Sequence, residues 1–370
     1  SYNREKLVVS GEDIEVTKWN IYKNNIYQTE IAWTMGRGKD QVFVDGEAII
    51  QARHPNDDIR SKLPVSYSKL FPSRGYFAID YNFRTILTSP HIMQEEKDYW
   101  IDGIYLGGHN AVWAWQSAII RKSEKGKIYV TDTTGQWWFP IAGHYSAEMS
   151  EGCINANLNA LDTPGEWHIQ DGKLYVWMPK SDNPQSHIVE AKRRQLAFDL
   201  SDKKNIYIND IDIFSASITM ARAENCTFDR CLASYTSHYL LFTDARNGFI
   251  EKGERTVENS PQTGEVGIYI SGLNNKFING TIRYSAGAGI ILAGYGTVIE
   301  NNIIHDVGYA NTYLGGIFAN DEFGNVGNKS NIKVGNYKIR YNTIYNIGRS
   351  AINIGAIENN IAQYAGSDIS

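Results

Sequence analysis

Residues 299–308 read IENNIIHDVG, and three more stretches share the shape: INGTIRYSAG (278–287), IRYNTIYNIG (339–348) and IENNIAQYAG (357–366). Each opens with Ile and closes with Gly at the tenth place, and the starts lie 21, 40 and 18 residues apart. NIYINDIDIF (205–214) and NCTFDRCLASY (225–235) have the same texture of alternating apolar residues broken by Asn, Asp and Gly. Self-similarity near twenty residues is the mark of a solenoid. The Leu/Asn frame of a leucine-rich repeat is absent, and no helix-length apolar period occurs. Short β-branched strands with Asn and Gly corners predict a right-handed parallel β-helix, in which each coil buries its apolar face only by stacking on the next. Asn at a repeated corner tolerates left-handed backbone and can ladder with the Asn above it.

Working outward, the step of 40 between 299 and 339 reads as one coil plus an insertion, NDEFGNVGNKSNIKVGN (320–336), polar and Gly-rich as a surface loop is. Residues 1–200 differ. They hold all nine tryptophans and most of the prolines. VFVDGEAI (42–49) and WHIQDGKLYV (167–176) each carry an Asp-Gly pair between strand-like runs, the signal of a two-residue hairpin. The expected organisation is an early coil in 1–30, an inserted antiparallel β-sandwich-like region in 31–199, and β-helix coils over 200–370.

At 370 residues with 42% apolar and 12% aromatic content, the chain supports a substantial core. Net charge is −5 and no run of five like charges occurs, which argues against nucleic acid as partner. No run of 18 apolar residues occurs, so a membrane-spanning helix is not expected. Cys226 and Cys231 flank TFDR and read either as buried small hydrophobes or as a disulfide around a turn.

Together, VFVDGEAIIQARHPN (42–56), LDTPGEW…LYVWMP (161–179), IENNIIHDVGY (299–309) and NTIYNIGRSAI (342–352) resemble the right-handed parallel β-helix glycosidases, most of all glycoside hydrolase family 120, the β-xylosidases, and the related family 141. The resemblance runs through nearly the whole chain in order. It implies a sandwich-like segment between early and later coils, an oligo- or polysaccharide substrate containing xylose or other plant-type sugars, no required cofactor, and a secreted or cell-surface bacterial setting. It also implies a retaining mechanism with two carboxylates, which are not both placed in this sequence: either the β-helix continues past Ser370 in a second chain or a C-terminal fragment that carries the missing acid, or the catalytic pair is absent.

Equivalent residues on successive coils of a β-helix lie about 4.8 Å apart, and retaining glycosidases hold their carboxyl groups about 5–5.5 Å apart. Two acids in one column would therefore serve. Asp321 and Glu322 follow the strand GGIFAN, and Asp244 follows YLLFT in the same manner, so these three are the candidate catalytic acids. Tyr235 and His238 in SYTSH, Tyr284 in RYSAG, Tyr309 in GYANT and Arg349 in GRSA read as one substrate-binding edge, or, Tyr by Tyr, as corner packing. Aligned by decads, Asp306 falls beside Ser285 and Asn346, so His305-Asp306 reads as a polar turn as readily as a dyad. Glu265, His54 and His144 are further candidates, and Trp113, Trp115, Trp137 and Trp138 are either core or a sugar platform. NDEFGN (320–325) offers oxygen ligands of the kind calcium takes, without a full loop signature. Two other functions fit such a fold: a uronate lyase or epimerase, which needs a basic cluster, and a non-catalytic carbohydrate-binding protein.

Overall fold

The computed structural model describes residues 5, 7–14, 18–56, 77–78, 80–83, 86–89, 92–109, 116–130, 150–240, 267–310, 315–319, 335–348, 350–354 and 368–369. The chain divides into two compact units, one of residues 1–12, 194–238 and 246–370, the other of residues 13–193 and 239–245. Among the described residues there is no α-helix, only strands and two single-turn 3-10 segments.

The first unit is a parallel β-helix of three six-stranded sheets. One sheet stacks Leu7–Ser10, Ile211–Phe214, Leu232–Ser237, Thr281–Ser285, Ile303–Val307 and Thr343–Ile347; it is called here the long-bulge sheet. A second stacks Leu196–Asp199, Ser217–Glu224, Ile268–Leu273, Ile290–Tyr295, Ile317–Ala319 and Ile352–Ile354. The third is built from three-residue strands, from Tyr207–Asn209 through Thr227–Asp229, Lys276–Ile278, Val298–Glu300 and Lys338–Arg340 to Asp368–Ile369. Each sheet sends at least one column inward, among them Ile213–Ala233–Ile282–Ile304–Ile344, Ile218–Ile268–Ile290–Ile317–Ile352, and Ile208–Phe228–Phe277–Ile299–Ile339. These columns belong to one continuous core. A coil has too few residues to enclose an apolar centre alone, so burial comes from the coil above and below.

Bends in the coil are made by left-handed residues, and these too form columns. The turn into the third sheet carries Asn205, Asn225, Asn274, Gly296 and Asn336, all at positive φ. The turn out of it carries Asp210, Arg230, Asn279, Asn301 and Tyr341. Asn and Gly lead these columns because the left-handed region strains a Cβ least there. The expected ladder is present: Asn301 Nδ2 donates to Asn279 Oδ1 at 2.9 Å, and Asn279 Nδ2 donates to Asp229 Oδ1 at 2.8 Å. A buried row runs beside it. Asn302 accepts the Gly280 N–H at 2.8 Å and donates to the carbonyl of Phe277 at 3.0 Å, and Asn342 repeats the contact one coil on. Cys226 and Cys231 are free and buried, as small core residues.

Three details of the sequence reading change. Ile282 stands beside Ile304, so the 278 and 299 decads align with an offset of 22, not 21, and Asp306 falls beside Tyr284 instead of Ser285. Ile339 pairs with Ile369, so the next rung lies 30 residues on and the decad at 357 is not its register partner. Ser217–Glu224 pairs directly with Ile268–Leu273. No rung of that sheet therefore lies between them, and Tyr239 and Leu240, the described residues of YLLFT, are not part of it.

The second unit is mostly antiparallel. An eight-stranded sheet includes Ile86–Thr88, Lys127–Val130, Gln116–Glu124, Ile104–His109 and Ser150–Asn155, and a five-stranded one runs Asn20–Lys23, Ile26–Glu30, Lys173–Trp177, Glu166–Gln170, Ile50–Gln51. The strands at 20–30, expected in an early coil, pair instead with the 166–177 hairpin. Both Asp-Gly hairpins are present, with positive φ at Asp45 and Gly46 and at Asp171 and Gly172, as a type I′ turn requires. Trp100 and Trp167 anchor separate cores.

One ion cluster fastens the first hairpin. His187 Nδ1 lies 2.7 Å from Asp45 Oδ2 and its Nε2 lies 3.0 Å from Asp182 Oδ2. Ionised carboxylates only accept, so two such neighbours favour the imidazolium, in which both ring nitrogens donate. Hydrogen bonds first to Asp45, then to Asp182, raise the His187 pKa above its usual value. The sign follows: this stabilisation is complete below the unfolded pKa of about 6.5 and is lost as pH rises through the raised folded value. His187→Gln should remove that pH dependence, and an NMR titration should find His187 titrating above 6.5. A value below 6.5 would contradict the arrangement.

Candidate functional site

The site develops from one irregularity in the long-bulge sheet. In Ile303–Val307, Ile304 and Val307 are both fully buried, although strict alternation would place Val307 outward. Asp306 absorbs the extra residue in left-handed backbone, φ 53°. The same bulge recurs at Ser215, Tyr235, Tyr284 and Asn346. Asn and Asp accept this conformation readily; for Tyr it costs about 1–2 kcal/mol. Two tyrosines held there in successive coils mark a strained column of the kind found at binding sites.

Outward of the core, Phe214, Ser234, Arg283, His305 and Tyr345 share one register position. With the bulge residues they form a ring ladder up the sheet. Phe214 meets Tyr235 edge-on at 5.2 Å, Tyr235 stacks on Tyr284 at 4.6 Å, Tyr284 meets His305 edge-on at 6.1 Å, and His305 stacks on Tyr345 at 4.9 Å and 2°. These spacings follow the strand repeat. Polar groups punctuate the ladder. The Arg283 guanidinium lies over Tyr284 and donates to Ser234 Oγ at 2.9 Å. His305 Nδ1 lies 2.6 Å from Asp306 Oδ2. Tyr345 is 45% exposed, and Tyr284, Arg283 and His305 are partly exposed.

The sequence-derived candidates separate here. Tyr284 lies on the ladder, partly exposed, and Tyr235 lies on it but buried. Tyr309 stands two residues beyond the strand end, outside their column, and is 1% exposed. Its hydroxyl donates to the Ser237 carbonyl at 3.0 Å and lies 2.8 Å from His238 Nδ1, so both side chains tie the coil together. Asp244, Asp321, Glu322 and Arg349 lie outside the described residues, as do Glu265, His144, Trp113, Trp115, Trp137, Trp138 and the NDEFGN segment. His54 belongs to the second unit and stacks on Trp100. Among the described residues no cluster of three metal-binding side chains occurs. Sequence reasoning passed over Arg283 and Tyr345 and weighed His305 only as half of a dyad with Asp306. The signal was their common place before the bulge, visible only once the decads are set in register.

A second carboxyl also escaped the sequence. Glu166, in the GEW element of the second unit, is 1% exposed and accepts the N–H of Arg53 at 3.3 Å and of Asp162 at 3.2 Å. Burial pushes its pKa up to about 8. It clips two chain segments together.

No family model and no curated protein matches this sequence. Among solved structures, a chain described as a glycoside hydrolase is similar with a TM-score of 0.63 and 15% identity, over 95% of this chain and 66% of its own. A structure of XylC with xylose aligns with a TM-score of 0.37 and 12% identity, over 93% and 48%, and the tailspike protein gp49 from Pseudomonas phage LKA1 with 0.19 and 10%, over 71% and 32%. This chain thus spans slightly under two thirds of the glycoside hydrolase's length. At that identity the likeness concerns the backbone, and it makes the chain an all-β protein of the parallel β-helix fold with an inserted, mostly antiparallel region.

Proposed function

We propose that this chain is carbohydrate-active, and that it binds a xylose-containing or other plant-type glycan along the ring ladder of the long-bulge sheet. The observation that carries the reading is the run Tyr284–His305–Tyr345 with Arg283 and Asp306 beside it. Ring faces take the C–H faces of sugars, while guanidinium, imidazole and carboxylate supply hydrogen bonds to hydroxyls. The fold shared with a glycoside hydrolase agrees with it. On this reading the chain forms part of a retaining glycoside hydrolase of the family 120 or 141 type, with Asp321 as the leading carboxylate and Glu322 and Asp244 as alternatives. Tyr345→Ala and Tyr284→Ala should each weaken xylo-oligosaccharide binding about two- to tenfold, the worth of one ring contact. Calorimetric titration with xylotetraose checks this; unchanged affinity in both variants removes the ladder from the site.

A second reading, glycan binding without hydrolysis, is favoured by one observation. In the described strands of this sheet, the outward and bulge columns hold two acids, Asp212 and Asp306, three rungs apart. Three strand spacings alone make at least about 14 Å, too far for the retaining separation of about 5–5.5 Å or the inverting one of up to about 9.5 Å. Turnover of aryl xylosides by the purified chain decides between the two readings.

A further inference from the structure

The second unit contains a cavity of about 680 Å³, within the usual range of small-molecule sites, about 300–1,000 Å³. Its back wall comes from two paired strands. Glu166–Gln170 contributes His168, and Ile50–Gln51, which pairs with it, contributes Gln51. Its rim includes Trp33, Arg37, Tyr99 and Asp102.

Polar atoms on the back wall are left unsatisfied. His168 is 6% and Gln51 8% exposed. Neither His168 Nδ1 nor Gln51 Oε1 has a hydrogen-bond partner. A buried polar atom left without a partner is costly, and a ligand group that reaches it relieves the cost. Burial lowers the His168 pKa to about 4, so the ring is neutral near pH 7 and one nitrogen donates while the other accepts. The backbone is also unusual at this wall. Ala156, a lining residue without a polar side chain to favour it, sits at φ 54°, a conformation that strains an L-residue.

The lining also restricts what can bind. Arg37, the cationic side chain of the wall, contacts Asp102 at 3.4 Å, and Asp40, Asp98 and Asp171 add further acids, which disfavours an anion. An apolar ligand would leave His168 and Gln51 unsatisfied. Hydroxyls both donate and accept, so they suit a neutral imidazole and an amide carbonyl together. We infer that this cavity is a second, independent binding site for a neutral sugar, with Gln51 Oε1 and His168 Nδ1 as the groups that read its hydroxyls.

The test uses the full chain, with D-xylose and D-glucose as probes and saturation-transfer NMR and calorimetry as readouts. In Tyr345→Ala, where the sheet ladder is impaired, saturable one-site sugar binding should persist. Gln51→Leu should weaken that binding at least tenfold while melting at the same temperature or higher, because it removes an unsatisfied polar atom. Sugar binding lost in Tyr345→Ala and kept in Gln51→Leu would place all binding on the sheet; it would overturn this inference and leave the proposed function standing. Absence of saturable binding in Tyr345→Ala also overturns it, whether or not Gln51→Leu folds. So does binding of D-glucosamine or D-glucuronate with neither neutral sugar, since recognition would then rest on charge.

Discussion

Phe277→Ala should cost about 3–5 kcal/mol, the range for deleting a fully buried aromatic ring. Phe277 is 0% exposed and stacks on Phe228 at 6.2 Å in the inward column of the third sheet. Neighbouring backbone is moulded to the ring: a Cβ added at Gly280 would lie 2.7 Å from Phe277 Cε1. Relaxation into the void is therefore limited, because the coil backbones are held at the strand spacing by their ladders. A solenoid rung contacts mainly its neighbours, so the loss should first appear locally. Denaturant melts should show the cost, and hydrogen exchange should rise most in 205–240 and 267–307. Ile303→Thr, at a site 44% exposed on the outer face, should change stability by no more than about 0.5 kcal/mol. Equal effects of the two would mean that the columns do not hold the unit together.

The second large effect concerns chemistry. If Asp321 is the leading carboxylate of a retaining hydrolase, Asp321→Asn should lower kcat about 10³–10⁴-fold, as loss of a reacting group does, with little change in melting temperature. Asp306→Asn should do the reverse. Asn tolerates the left-handed bulge that Asp306 occupies, and Asn346 already fills the same place one coil on. The substitution removes the carboxylate that His305 contacts, worth about 1 kcal/mol of stability, and leaves kcat near wild type, with any loss of sugar contact appearing in KM. Steady-state rates on an aryl xyloside separate the cases. Near-wild-type rates in both remove Asp321 from the mechanism, and loss in Asp306→Asn alone moves the chemistry onto the ring ladder.

Much of the architecture was legible because its cause is local. An Asn or Gly at a corner, or an Asp-Gly pair in a hairpin, is chosen by the backbone conformation of that residue, and such choices are written where they act. The inward Ile of each rung repeats for the same reason. The site was less legible. Tyr235 and Tyr309 look alike as corner tyrosines, yet Tyr235 sits at the bulge on the ring ladder while Tyr309 lies three places past the equivalent Asp306, buried against Ser237 and His238, because register decides which side chains are neighbours. The decads alone place Ser285 beside Asp306; the ladder places Tyr284 there.

From the sequence by itself come the all-β solenoid, written in a repeat near twenty residues, and the left-handed corners and both hairpins, each set by residues within about ten positions of one another. Only the tertiary structure decided the register of the coils, the assignment of strands 20–30 to the second unit, and the meeting of Gln51 with His168 across 117 positions of chain. Long-range neighbours are selected by the packing of whole faces, and no single residue on either side records its partner.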